Sequence, residues 1–445
     1  MANTYLTHTN SGTGSYQKST FSAWVKRSSL GATQCMWNNV VQAGVNQLRF
    51  EFNASDQIYL YGEEAGGYAL RANTTALYRD TSAWYNIVVA IDTTQGTASD
   101  RIKLYVNGVQ VTLTFSTTPA VNANLRMNYN STPVYVGSNA TASYFNGSMS
   151  HVHWIDGTAY PASTFGSVDA TSGIWTINTS PSITMGTNGF TILKDGNTIT
   201  DQSSNSNNFS LGGGTLTKTQ DCPDNNFATM NPLDNFYSGA TFSNGNNTVA
   251  TISASTNWVA STLQVSSGKW YAECKPTAGT ASALIGFAGS TSKSQTVILE
   301  TAGLFGGNYV SNGEYFFNGS GGAYASSFAN GDIISVYLDL DNNFVYFAKN
   351  GALQYSGDPT SGATGTGGKA ITASASTTNG SYAFACGDGN TATRTFDWNF
   401  GNGFFGTTAV TTNSGNGYAG TDGKSIFNYQ PPTGYSALST KGLNL

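Results

Sequence analysis

Two Asn-Gly dipeptides, Asn107-Gly108 and Asn350-Gly351, each stand between short runs in which every second residue is apolar. A two-residue loop with positive φ at both positions accepts Asn-Gly readily and closes a pair of antiparallel strands. Ile102, Leu104 and Val106 lead into the first pair, and Val109, Val111 and Leu113 lead out of it. Phe344, Tyr346 and Ala348 lead into the second, and Leu353 and Tyr355 follow it. A period of two places these side chains on one face of a strand. The same period recurs in Phe21, Ala23 and Val25, set between Ser22, Trp24 and Lys26. It recurs in Leu48, Phe50 and Phe52, set between Arg49 and Glu51, and in Tyr85, Ile87, Val89 and Ile91. Gly331-Asp332, the run Ile333 to Leu340 and Asp341-Asn342-Asn343 complete a strand-turn-strand meander before the second hairpin. A meander with one apolar face needs a second sheet to cover it. The chain is therefore expected to be all-β, with two antiparallel β-sandwich modules of jelly-roll type in tandem.

At 445 residues the chain exceeds one ordinary core. Its 52 Gly, 24 Tyr and 24 Phe suit many short strands joined by tight turns. Charged residues make up only 10%, against roughly a quarter in ordinary globular chains. The surface must then be covered largely by Ser, Thr, Asn and Gln. Hydrophobic content of 39% excludes a disordered polar chain, because that much apolar surface can offset the entropy of ordering. Net charge is -5 and no basic stripe occurs, which argues against nucleic-acid binding. No apolar run is long enough to span a bilayer, and the opening residues lack an apolar secretion signal. The sequence divides into a first sandwich at 1–166, a connecting region at 167–234, a second sandwich at 235–435 and a tail at 436–445. The run Phe190 to Leu193 reads as a strand within the connecting region.

Candidate chemistry is sparse. Cys35, Cys222, Cys274 and Cys386 form no metal-type cluster and read as free thiols. Cys274 shares a strand face with Trp270 and Ala272, and Cys386 shares one with Tyr382 and Phe384. The histidines are His8, His151 and His153; the last two share a strand face, with only Asp156 near them to complete a metal site. They read as rim or surface imidazoles. Glycosidases need two carboxylates across the scissile bond. Glu63-Glu64 and Glu51 with Asp56 are the candidates, and neither has the alternation of a catalytic pair. No Gly-x-Ser-x-Gly elbow stands in an α/β pattern, and the glycine clusters 212–214 and 319–322 lack the Lys and helix of a phosphate loop. Tyrosines outside the alternating runs are the better lead: Tyr59, Tyr61, Tyr68, Tyr129, Tyr309 and Tyr315. A phenol ring offers a flat apolar surface and a hydroxyl, which suits stacking on sugars.

The stretch Ser267 to Glu273 (SGKWYAE) resembles the opening of a SPRY domain. Leu284 to Ala288, Gly331 to Asp341 and Phe344 to Gly351 are similar to the strands that follow in that family, over roughly 235–435. The tail Phe427 to Tyr435 resembles endings of phage-encoded members. Trp84 to Val89, Leu104 to Gly108, Phe145 to Met149 and His153 to Gly157 resemble a concanavalin-like, or laminin-G-like, jelly roll over about 15–166. Asp201 to Phe209 resembles a segment often found at the start of such domains; here it either adds an edge strand to the first sandwich or belongs to the junction. The pairing of the two modules, with Asn226 to Pro232, resembles structural and adhesion proteins of tailed bacteriophages.

That resemblance implies a non-enzymatic virion component, a tail fibre, tail tip or capsid fibre. It would bind host-surface carbohydrate or protein through its loops, contact other virion proteins and form a homo-oligomer, a trimer by virion symmetry. No membrane insertion is implied. A virion cement protein and a concanavalin-type enzyme are the alternatives. Laminin-G-like modules also imply calcium at a loop rim, for which Asp92, Asp100 and Asp156 are available, and no other cofactor.

Overall fold

The computed structural model describes residues 3–42, 46–140, 142–194, 198–235, 239–252, 258–279, 281–289, 301–389, 392–411 and 418–444. The chain is all-β apart from short 3-10 turns, and it divides into two compact units, Met1–Lys218 and Thr219–Leu445. No helix among the described residues is long and apolar enough to cross a membrane.

In the first unit, the described residues form an eight-stranded sheet and a six-stranded sheet. The larger runs in the order Leu113–Thr117, Gly67–Thr74, Ile58–Glu64, Asn46–Phe52, Gln34–Gln42, Pro133–Val136, Tyr5–Thr9, Ser210–Gly213. The smaller runs Phe190–Ile192, Gly147–Asp156, Lys18–Arg27, Tyr85–Asp92, Ile102–Val106, Val109–Gln110. Phe21, Ala23 and Val25 face Leu48, Phe50 and Leu60 across the core, as the alternation requires. Trp37 and Trp154 stack at 4.1 Å in its centre. The strand Phe190–Ile192 pairs with Gly147–Asp156, and Ser210–Gly213 pairs with Tyr5–Thr9. Phe209 packs edge-on to Phe190 in the same core.

The first hairpin turns through Asn107 at φ 48° and Gly108 at φ 79°. Its return strand differs from the sequence expectation. Pairing ends after Val109–Gln110, and the chain crosses to the edge of the opposite sheet, where Leu113–Thr117 pairs with Gly67–Thr74. Val109, expected on a buried face with Val111 and Leu113, is consequently 67% exposed.

In the second unit, one sheet contains Trp258–Ser261, Ala383–Asp388, Ala283–Ala288 and Gly307–Val310, and the facing sheet contains Thr395–Asn399, Lys269–Ala278, Ile334–Asp339 and Phe344–Lys349. Trp270, Ala272 and Cys274 point into the core with Ile285, Phe287, Phe384 and Cys386. Cys35, Cys222, Cys274 and Cys386 are all free thiols, and only Cys222 is not fully buried.

The second hairpin strand carries apolar residues at both parities. Val345 and Phe347 face the opposing sheet. Tyr346 and Ala348, expected on the sheet-covered face, lie on the other side with Tyr271 and Tyr337, under Phe427, Tyr435 and Ala437. The C-terminal segment thus supplies a third layer, and Ser436–Ala437 adds to Lys269–Ala278 as a parallel strand.

Candidate functional site

Strand register in the eight-stranded sheet lays one residue from each of six strands in a row. Arg71 stands opposite Tyr61, Tyr61 opposite Arg49, and Arg49 opposite Asn38. Asn38 stands opposite Tyr135, and Tyr135 opposite Thr7. Directly opposed residues share a face. The adjacent row, Ala72, Leu60, Phe50 and Trp37, points into the core. The Arg71-to-Thr7 row therefore lies on the face turned away from the core, flanked by Tyr59, Glu51, Gln47 and Glu63 at the same parity.

Cations and rings interleave along this face. The Arg49 guanidinium lies 4.1 Å from the Tyr61 ring centroid, and the Arg71 guanidinium lies 4.4 Å from that of Tyr68. Such contacts fix a flexible cation over a rigid ring. Arg71 Nε also donates to the Tyr59 hydroxyl at 2.8 Å. Tyr61 is edge-on to Tyr68 with centroids 5.8 Å apart, and Tyr59 lies 5.8 Å from Tyr61. Arg49 pairs with Glu51 at 3.1 Å, and Gln47 Nε2 donates to Glu63 at 2.7 Å. Burial and the neighbouring Glu63 carboxylate push the Tyr61 phenol well above its ordinary range, so the ring stays neutral. Tyr68 is the open edge of the cluster, at 52% exposure.

Asn38 is fully buried, and neither its side-chain Nδ2 nor its Oδ1 has a hydrogen-bond partner among the described residues. An unpaired buried amide costs about 1–3 kcal/mol.

The candidates from sequence separate clearly. Tyr59, Tyr61 and Tyr68 converge on this face. Tyr129 lies near the turn end of the same sheet, stacked on Tyr16 at 4.1 Å and capped by Arg126, which pairs with Glu64 at 3.2 Å. Tyr309 and Tyr315 do not serve: both are core residues of the second unit, packed with Tyr324 and Phe347. Their strands lie between others in the sheet and carry their rings inward, an environment that composition does not reveal.

The calcium candidates are engaged by protein donors. Asp156 accepts the backbone N–H groups of Ser15 at 2.8 Å and Asn188 at 3.1 Å, and Asn128 Nδ2 at 3.0 Å. Asp92 accepts from Thr94 and Gln95 and pairs with Lys18 at 3.3 Å. Asp100 pairs with Lys103 at 3.0 Å. Their oxygens tie loops together instead of converging. Among the described residues no group of three or more His, Cys, Asp or Glu is placed to hold a metal ion.

His151 and His153 are buried, not rim residues: the His153 ring lies 5.6 Å from that of Phe165, whose segment packs on Ile155 of the same strand, and the strand bulges between Ser150 and His153 with His151 at φ 48°. Burial lowers the His153 pKa to about 3, and its Nδ1 lies 2.8 Å from Thr191 Oγ1. Glu51 pairs with Arg49, whereas Asp56 pairs with Arg27 and Arg79 at 3.0 Å each. Glu63 and Glu64 go to Gln47 and Arg126.

Sequence reading missed Asn38, Arg49, Arg71 and Tyr135. Arg49 and Glu51 were legible as the polar parity of their strand. What was missing was the register that sets Arg49 beside Tyr61.

A family model of the concanavalin A-like lectin/glucanases superfamily matches residues 1–163. No curated protein matches the chain. Solved structures similar to it include the SPRY domain of human HERC1, with 15% identity, a TM-score of 0.30 and coverage of 38% of this chain and 96% of that one. A heptameric SAP-like pentraxin from Limulus polyphemus gives 12% identity and a TM-score of 0.29, covering 42% and 88%. The TRIM65 PSpry domain gives 11% and 0.29, covering 39% and 88%.

Proposed function

We propose that this chain is a non-catalytic carbohydrate-binding protein whose glycan platform is the outward face of the eight-stranded sheet in the first unit. The observation that carries this reading is the convergence of Tyr59, Tyr61 and Tyr68 with Arg49 and Arg71 on one sheet face. The exposed Tyr68 ring, with the half-buried Tyr59 beside it, supplies stacking surface for the apolar face of a pyranose, and the half-buried Arg49 and Arg71 supply directional hydrogen bonds to hydroxyls. The concanavalin-type match over residues 1–163 supports the same reading. Glycan-array binding of the full chain, repeated with Tyr61→Ala and Tyr68→Ala, tests it. Binding that both variants lose is the expected result; binding indifferent to both would move the site elsewhere.

The setting we propose is the surface of a bacteriophage particle, as a fibre or tail-tip adhesin acting as a homo-oligomer. The sequence resemblance of the paired modules to phage structural and adhesion proteins supports it, as does a chain with only 10% charged residues. Cryo-electron microscopy of the particle with the chain traced in place is the test. An outward-facing first unit fits the proposal. Burial of that sheet face between neighbouring subunits would make the chain virion cement, and absence from the particle would end the reading.

A further inference from the structure

Three arginines stand on or beside the proposed glycan platform, and their charges are disposed differently. Arg49 is neutralised by Glu51 at 3.1 Å, and Arg126 by Glu64 at 3.2 Å. Among the described residues Arg71 has no carboxylate partner. The one hydrogen bond of its side chain runs from Nε to the Tyr59 hydroxyl at 2.8 Å, which leaves both Nη atoms without an acceptor among the described residues. The guanidinium lies over the Tyr68 ring, 4.4 Å from its centroid, and Tyr68 is 52% exposed. Arg71 is itself half-buried, one strand in from the sheet edge formed by Leu113–Thr117.

A guanidinium fixed by a ring below and a phenol at Nε presents its remaining edge in a set orientation. That edge matches two oxygens of a carboxylate, sulfate or phosphate. Among the described residues Arg71 is thus the one of these three arginines without a carboxylate partner, while the Glu63 carboxylate of the same face is buried and held by Gln47. We propose that the platform is selective for acidic saccharides, with the sugar ring packed at the exposed Tyr68 and its oxyanion held by the Nη edge of Arg71. The proposal rests on the glycan-binding reading and adds the ligand class.

The test is calorimetric titration of the full chain with three probes: an oligogalacturonate, the same oligomer fully methyl-esterified, and a sulfated oligosaccharide. Esterification keeps the ring and removes the charge. The expected result is binding of at least one acidic probe, weakened about tenfold or more in the ester and weakened by added salt. Which acidic probe binds distinguishes carboxylate from sulfate. Arg71→Gln should bring the acid down to the level of the ester. Arg71→Lys, which keeps the charge and loses the fork, should fall between. Circular dichroism of each variant checks that the sheet is retained. Equal binding of acid and ester, or an Arg71→Gln variant that binds as the parent does, overturns the proposal and leaves the glycan platform standing. No binding of any probe, together with a glycan array negative for the parent, overturns both.

Discussion

The Glu273 carboxylate accepts the backbone N–H of Tyr429 through Oε1 at 2.8 Å, fastening a central strand of the second unit to a segment 156 residues further along the chain. Oε2 accepts the Asn428 N–H at 2.8 Å and Asn399 Nδ2 at 3.0 Å. The Tyr271 hydroxyl lies 2.9 Å from Oε1 and also 2.9 Å from Ser335 Oγ, so it can donate to one and accept from the other. Once protonated, Glu273 can donate to that hydroxyl and still accept both backbone amides. The latch is then fully bonded with no buried charge.

The pH dependence follows from this. Complete burial raises the Glu273 pKa to about 7, with the hydrogen bonds from Asn428, Tyr429, Tyr271 and Asn399 opposing the rise. The ordinary value is 4.5. Between the two, the folded state holds a proton that the unfolded state has released. Stability from this group is full below about 4.5 and is lost as pH climbs through 7. The loss is about 3 kcal/mol over that window. Denaturant titrations of the full chain across it should show the second unit's transition moving to lower denaturant as pH rises. A transition insensitive to pH would contradict the assignment.

Glu273→Gln isolates the same group. The amide nitrogen can replace the proton that faces Tyr271, but it then points its hydrogens at the Tyr429 N–H and leaves that donor unpaired. At pH 5 the variant should lose about 1–3 kcal/mol. Its stability should also be flat where the parent's falls. Faster proteolysis near residues 427–437 would mark release of the third layer over Tyr271 and Tyr346.

In the first unit the equivalent stress lies at Arg27, whose side chain is fully buried. Its guanidinium pairs with Asp56 at 3.0 Å, donates to the Tyr78 carbonyl at 2.6 Å and stacks on Phe52 at 4.3 Å. Removing one partner of a buried pair costs about 3–5 kcal/mol. Arg27→Met keeps the bulk and removes the charge, so it should cost about that much even though nothing is hollowed out. Thermal denaturation of parent and variant measures it, and a loss below about 1 kcal/mol would show that Arg79 alone satisfies Asp56.

The strands were legible because period two is local: Phe21, Ala23 and Val25, or Leu48, Phe50 and Phe52, carry their face assignment in their own spacing. The Asn-Gly turns were legible because positive φ at both positions selects those residues. Where one face had two sources of cover, local spacing failed. Tyr346 and Ala348 are apolar because the C-terminal segment covers them, and nothing near residue 346 announces that segment. The site was half legible for the same reason. Tyr59, Tyr61 and Tyr68 stand close together in sequence, but Asn38, Arg49 and Tyr135 join them only through register, which no single strand encodes.

Asn38 offers the sharpest separation of function from stability. Its amide is buried at the centre of the row, between Arg49 and Tyr135, without partners among the described residues. Replacing it with Leu removes the unpaired groups and fills similar volume. If the amide is retained for the fold, Asn38→Leu should destabilise the first unit. If it is not, the variant should gain about 1 kcal/mol in denaturant titration. The second pattern is the expected one, because neither Nδ2 nor Oδ1 has a partner among the described residues whose loss would weaken the fold. Glycan binding should be unchanged in either case, since a fully buried amide does not reach the surface that meets a sugar. A stability loss would show that the amide is bonded in the folded chain, and a loss of glycan affinity without one would show that the middle of the row opens to the ligand.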